Sequence, residues 1–265
     1  MKKYFILFKI LFQVALEHRA NIISNLLMHL LGLGVFYFVW SKILAGGASI
    51  ESYDFNSIVS YYMTSGLFIA FFNTRTTKSM EKMIKDGKLS NLLVKPINEF
   101  LYVFFQELGK RIVVIILTTI IFLPPLILIP NIRNTINFSL GAIFWTTLFS
   151  ILSNLFLFTF FFSIGCLAFW FKSTSGFRNI TGNLLSILKG AWFPIDIAPT
   201  FLQNIFSILP FQYTRYFLIK IIISDIPKSL YIKGLGVIII YTLLFTSISL
   251  VLWKKGLKKY ESVGI

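Results

Sequence analysis

From Phe138 to Phe171 the chain runs for 34 residues without an Asp, Glu, Lys or Arg. As one helix this run is about 50 Å long, against a bilayer hydrocarbon core of about 30 Å. It is too short for two crossings and a turn. It therefore predicts one long span that either breaks near Gly165 or extends past the membrane. Composition agrees: 13% of residues are charged and 30 are Phe, whereas soluble domains carry about 25% charge.

Five further apolar runs read as spans: Ile22 to Trp40, Ser57 to Asn73, Ile112 to Ile129, Ile180 to about Ile195, and Leu235 to Trp253. The expected fold is an all-α integral membrane protein, one domain over residues 1–265, with six transmembrane helices. Near the inner end of the third span Glu107 and Arg111 stand at i,i+4, the spacing of an ion pair, and Pro124-Pro125 should kink the helix or end it toward the far side. His29 falls inside the first span, where a hydrogen bond to a neighbouring helix is the simplest role.

The stretch "KKYFILFKILFQVALEHR", residues 2–19, begins like a signal peptide. Lys9 interrupts its apolar run, however, and no small-residue cleavage site follows. Lys2, Lys9, Gln13 and Glu17 share one helical stripe while Phe5, Phe8, Phe12 and Leu16 lie elsewhere. That pattern predicts an interfacial helix over 1–20.

Two segments between spans carry most of the remaining information. Residues 74–100 form the longest polar stretch, in which Met80, Met83 and Ile84 recur at helical spacing and Gly87 and Pro96 punctuate. Residues 200–234 are apolar but broken: "FLQNIFSIL" and "YFLIKIII" are split by Pro210 and Arg215. Runs this short do not cross; they suit re-entrant or interfacial helices. Parity supports this. If 200–234 returns to the outer side, both termini are cytoplasmic and eighteen of the 25 basic residues lie inside. Trp192 and Phe193, beside Pro194, then mark the outer interface.

The same asymmetry accounts for the net charge of +15 without nucleic acid. One cysteine and two histidines supply neither an internal disulfide nor a metal centre. No G-x-x-x-x-G-K-[ST] phosphate loop occurs; "KDGKLS" lacks its first glycine and its Ser/Thr. A membrane-embedded enzyme needs a cluster of His, Asp or Glu at membrane depth, where only Lys189 is placed. A self-contained secondary transporter needs internal repeats and midplane carboxylates, and the ten carboxylates are scattered over loops and ends.

The order of these elements resembles the type-2 ATP-binding-cassette exporter permeases over nearly the whole chain. The most specific parts are "DGKLSNLLVKPIN" at 86–98 and "GAWFPIDIAPTFLQNIFSILPFQYTRY" at 190–216, which includes Trp192, Pro194, Pro199 and Pro210. The first is similar to the family's cytoplasmic-loop stretch, the second to its stretch before the outer re-entrant helices. The resemblance implies a non-enzymatic permease in a bacterial cytoplasmic membrane, forming half of a translocation pathway. It implies a second permease, identical or related, and a separate ATPase that binds ATP and Mg. This chain then has no catalytic, nucleotide-binding or metal residues of its own and no cofactor. The surfaces implied to contact the ATPase are the interfacial helix and the 74–100 loop. The candidate coupling residues are Met80, Met83, Ile84, Gly87, Leu89, Leu92, Leu93 and Pro96. On the residues alone, the same apolar stripe reads as an amphipathic helix resting on lipid headgroups.

Lys189 is the single charge placed well inside a span, where insertion costs about 2.5–3.5 kcal/mol. Either it faces a translocation path shared with Asn183 and Ser186, or it snorkels outward or pairs with Asp196. Asn183 and Ser186 equally suit hydrogen bonds between helices. The topology is checked by a single cysteine at Ser229 in a Cys166→Ser background. An impermeant thiol reagent should label it from outside the cell, and labelling only from the cytoplasmic side would overturn the assignment.

Overall fold

The computed structural model describes residues 2–44, 49–50, 53–71, 75–224 and 226–260. Helix α1 (Lys2–Glu17) meets α2 (Arg19–Ile43) at His18. After a connection come α3 (Phe55–Leu67), with a 3₁₀ turn Ile69–Phe71, then α4 (Arg75–Lys85), α5 (Lys88–Leu93) and α6 (Glu99–Leu128). A short α7 (Pro130–Arg133) leads to α8 (Leu140–Cys166) and α9 (Ser175–Leu188). The chain ends with α10 (Thr200–Ile208), α11 (Tyr216–Ile223) and α12 (Lys228–Lys259). Among the described residues there is no strand, only an isolated bridge between Ile50 and Tyr53.

Among the described residues four helices are long and apolar enough to cross a membrane: α2, α6, α8 with its 3₁₀ extension Leu167–Phe169, and α12. The long apolar run thus breaks where Cys166 follows Gly165, and both residues are buried. Helices α3 and α9, of 13 and 14 residues, fall short of that length. Polar contacts mark the two ends of the bundle. One end gathers the basic segments: Tyr4 hydroxyl receives the Asn98 N–H at 2.9 Å, and Ser90 and Tyr260 hydroxyls meet at 3.0 Å. At the opposite end Thr135 donates to Ser60 Oγ at 2.7 Å, and Lys233 to Ser207 Oγ at 3.2 Å.

Several boundaries differ from the sequence expectation for local reasons. The third span starts earlier, at Glu99, because Asn98 caps it by accepting the Leu101 N–H at 2.9 Å; the polar segment expected over 74–100 therefore closes at 98. Pro124 and Pro125 stay inside α6, five residues or fewer from its end, leaving the Ile120 and Ile121 carbonyls without their usual donors. The fifth span stops at Leu188, not near Ile195, because the chain turns at Gly190 with φ +68°. The last helix begins at Lys228 after Pro227, so residues 228–234, expected in the re-entrant segment, belong to it. The rest of that segment is two short helices joined by a 3₁₀ turn, Pro210–Thr214. Asn73 and the side chain of Lys2 lie outside the described residues.

Lipid supplies no hydrophobic drive between helices, so such bundles hold by close packing and interhelical hydrogen bonds. Between α8 and α12, Ser249 Oγ donates to the Thr159 carbonyl at 2.9 Å and meets Ser163 Oγ at 2.8 Å. A second apolar core fills the basic end, where Met80, Leu89, Val103, Phe162 and Trp253 pack together. Helix α1 lies along α6, burying Tyr4 and Ala15, while Lys9, Gln13 and Glu17 stay in the open with Phe5 and Ile10 exposed on either side of them. Gly109 permits this contact: a Cβ there would sit 2.8 Å from the Phe8 carbonyl oxygen, which is backbone and cannot swing aside. Gly109→Ala should therefore cost about 1–3 kcal/mol through forced separation. It should lower the thermal midpoint of the purified protein and speed tryptic cleavage at Lys9; unchanged midpoint and cleavage would contradict this packing.

Candidate functional site

The polar segment folds into two helices because Gly87, at φ +70°, makes the left-handed turn that separates α4 from α5. This fold corrects the expected coupling surface. Met80, Ile84 and Leu89 point into the chain's own second core, so they are not available to a partner, and Leu92 packs there too while its edge lines the cleft described next. The stripe is apolar because it packs on α8, not because it is displayed. Met83 is half-buried, while Leu93 and Pro96 are exposed. Pro96 carbonyl accepts from Lys3 Nζ, which ties α1 to the end of the segment.

What α4 and α5 do display is charge around a cleft. Lys82, Met83, Lys88, Asn91, Lys95 and Gln106 line a hollow of about 370 Å³ open at the basic end. Its rim carries three lysines, a field that favours an acidic partner surface.

Behind the cleft, Glu81 joins α4 to the start of α9. Its carboxylate accepts from Thr174 Oγ1 at 2.6 Å and the Thr174 N–H at 3.2 Å. It pairs with Lys85 at 2.7 Å and with Arg178 at 3.5 Å. Partial removal from water pushes this carboxyl up, but the bonds from Lys85 and Thr174 and the charge of Lys85 outweigh that and hold it at about 2. A depressed carboxyl contributes stability above its unfolded value and loses it only as pH falls toward the folded one. The clamp is therefore intact at any pH above the ordinary carboxylate range.

At the other end of α9 the chain turns into a buried polar cluster. Lys189 is buried at this turn, and its carbonyl accepts the Tyr216 N–H at 3.1 Å. Asp196 receives the hydroxyls of Tyr53, at 2.8 Å, and of Tyr216, and pairs with Lys220 at 3.0 Å. Tyr61 donates to the Gly190 carbonyl at 2.5 Å and Tyr62 to the Trp192 carbonyl at 2.6 Å. Of the residues expected to line a path, Asn183 is exposed on α9, and Ser186 bonds its own helix through the Gly182 carbonyl at 3.0 Å. Only Lys189 joins the buried cluster. Trp192 and Pro199 are exposed; Pro194 and Pro210 are buried.

Three charges escaped the sequence reading. Arg215, counted there among outer loop residues, is buried and donates through Nε to Ser65 Oγ at 2.7 Å. Glu107 and Arg111 are buried too, so Lys189 is not the single interior charge. Nor do these two pair with each other: Arg111 turns instead to Asn154 Oδ1 on α8. The "TRY" of residues 214–216 was the available signal for Arg215, since an arginine between apolar runs has few places to hide.

The fold is thus that of a multi-pass helical membrane protein. Comparison with known families narrows the class: residues 30–264 match the family described as "ABC-2 family transporter protein". The chain belongs to that family, as the membrane permease component of an ABC transporter system. No curated protein matches it.

Glu81→Gln should leave Thr174 and Arg178 with a weaker acceptor, at a local cost of about 1–3 kcal/mol. Amide exchange over residues 172–180 should then quicken by about tenfold in hydrogen-exchange mass spectrometry. Unchanged protection there would show that the clamp does not hold α9.

Proposed function

We propose that this chain is the permease half of an ATP-driven exporter, crossing the cytoplasmic membrane six times with both termini inside. In this reading α3 with its 3₁₀ turn and α9 are the two short crossings. Helix α1 lies in the inner interface, where its exposed Phe5 and Ile10 flank Lys9 at the headgroup level. Helices α10 and α11 enter the outer leaflet and return, their backbone held by protein partners as buried irregular backbone must be.

The observation that carries this reading is the lysine-rimmed cleft on α4 and α5, coupled through Glu81 to α9. A separate ATPase, holding ATP and Mg, docks there. Movement of α4 on hydrolysis reaches α9 through the Glu81 clamp and so reaches Lys189 at the far end of the same helix. Helix α9 buries only Leu185 within this chain. Its open face is where a second permease, identical or related, completes the pathway, with the small and polar residues Gly182, Asn183 and Ser186 allowing close approach. A ligand bound more tightly by one arrangement of the pair than by the other is then moved in one direction by the ATPase cycle.

Docking is tested by reversing the rim charges. Lys82→Glu, Lys88→Glu and Lys95→Glu together should reduce co-purified ATPase by about tenfold or more, given a few tenths to 1 kcal/mol for each exposed charge. The permease itself should stay folded. Ile84→Asp, placed in the second core, should instead destabilise the permease directly. Normal ATPase stoichiometry and normal transport in the triple variant would place docking elsewhere.

A further inference from the structure

Helices α6 and α8 run side by side without close backbone contact, and the space between them is a cleft of about 510 Å³. Its walls are apolar, with Phe104 and Leu108 on one side and Leu155 and Phe158 on the other. Its floor is charged. Glu107 and Arg111, a turn apart on α6, both face it and both are more than nine-tenths buried. Asn154, across the cleft, accepts one Arg111 N–H.

The unmet bonding capacity in this floor is specific. Among the described residues Glu107 Oε1 has no donor and Arg111 Nε has no acceptor. Farther along α8, Thr146 Oγ1 is also unsatisfied. A buried oxygen without a donor is destabilising, and most so when it belongs to a charged group. Native interiors rarely leave both an acceptor and a donor unmet at neighbouring positions. Moreover, the two groups do not satisfy each other, although their spacing would allow it. An occupant with a hydrogen-bond-donating cation and an anionic acceptor, joined to apolar chains, meets every one of these conditions.

The cleft opens sideways. Thr147 and Ile151 at its mouth are exposed, and both helices at this level are membrane-length. An occupant therefore enters from the bilayer plane. We propose that this cleft is a binding site for a zwitterionic aminophospholipid of the surrounding membrane, with the primary ammonium on Glu107, the phosphodiester on Arg111 and the acyl chains along the α6 and α8 walls. The floor carries one charge of each sign, which matches a headgroup of zero net charge. A trimethylated headgroup has no N–H for Glu107. An anionic headgroup such as phosphatidylglycerol offers Arg111 the same phosphate but brings no ammonium, so Glu107 stays unmet and the floor gains a net negative charge.

The experiment uses the full-length permease in its transporter complex, reconstituted into nanodiscs of equal phosphatidylethanolamine, phosphatidylcholine and phosphatidylglycerol. It is then re-extracted, and the retained lipid is counted by native mass spectrometry. Phosphatidylethanolamine should be retained about tenfold over phosphatidylcholine, the ratio expected for one charged hydrogen bond of about 1.5 kcal/mol. Glu107→Gln keeps the side chain's shape and should erase that preference while lipid is still retained. Ser150→Phe, which fills the cleft from α8, should abolish retention of any class. Retention in bulk proportion, preference for phosphatidylglycerol, or an ethanolamine preference that survives both substitutions would each overturn the proposal.

Discussion

Every irregular stretch of backbone inside this bundle must find a hydrogen-bond partner within the protein, since lipid offers none. The turn at Gly190 is where that constraint is most demanding. The Gly190 and Trp192 carbonyls are taken by the hydroxyls of Tyr61 and Tyr62, and the Lys189 carbonyl by the Tyr216 N–H. A side chain at Gly190 would meet the Tyr61 hydroxyl at 2.8 Å as well as requiring a left-handed conformation. The path of the chain after α9 follows from this junction. It sends Asp196 toward Tyr53 and Lys220, and those contacts in turn fix α11 against α3.

The two ends of α9 then have different anchors. At its start the anchor is ionic, through Glu81, Arg178 and Thr174. At its finish it is a set of neutral hydroxyl-to-carbonyl bonds and one buried lysine. Between them the helix packs lightly, burying Leu185 alone. A helix fastened at both tips and loose along its length can tilt as a rod when one tip is displaced.

The helical membrane character was legible because long uncharged runs have no alternative in water, and the break after Gly165 was legible from length alone. Helix starts were less so: Glu99 and Lys228 belong to helices because Asn98 caps one and Pro227 precedes the other, signals carried by single residues. The coupling stripe misled for a different reason. Met80, Ile84, Leu89 and Leu92 have the periodicity of a buried face, and periodicity says that a face is covered without saying by what. Here α8 covers it, and the side left open carries the polar, lysine-bearing cleft. Interior charges were hardest to find. Glu107, Arg111 and Arg215 sit beside apolar runs just as surface charges at a span's edge do, and only the tertiary arrangement shows which way each turns.

The paired prolines near the end of α6 have an effect on its mechanics. Neither Pro124 nor Pro125 can donate to the helix, so the Ile120 and Ile121 carbonyls lose their usual partners on two successive positions. Those oxygens are free to tilt outward and draw in polar atoms from the headgroup layer. Below them α6 is a continuous rod pinned to α1 and bridged to α8; above them its last turn can bend with α7 while the rod stays still. The helix is in effect a stiff shaft with a pliant tip, and shape changes at the far membrane surface can be absorbed there without disturbing the basic end.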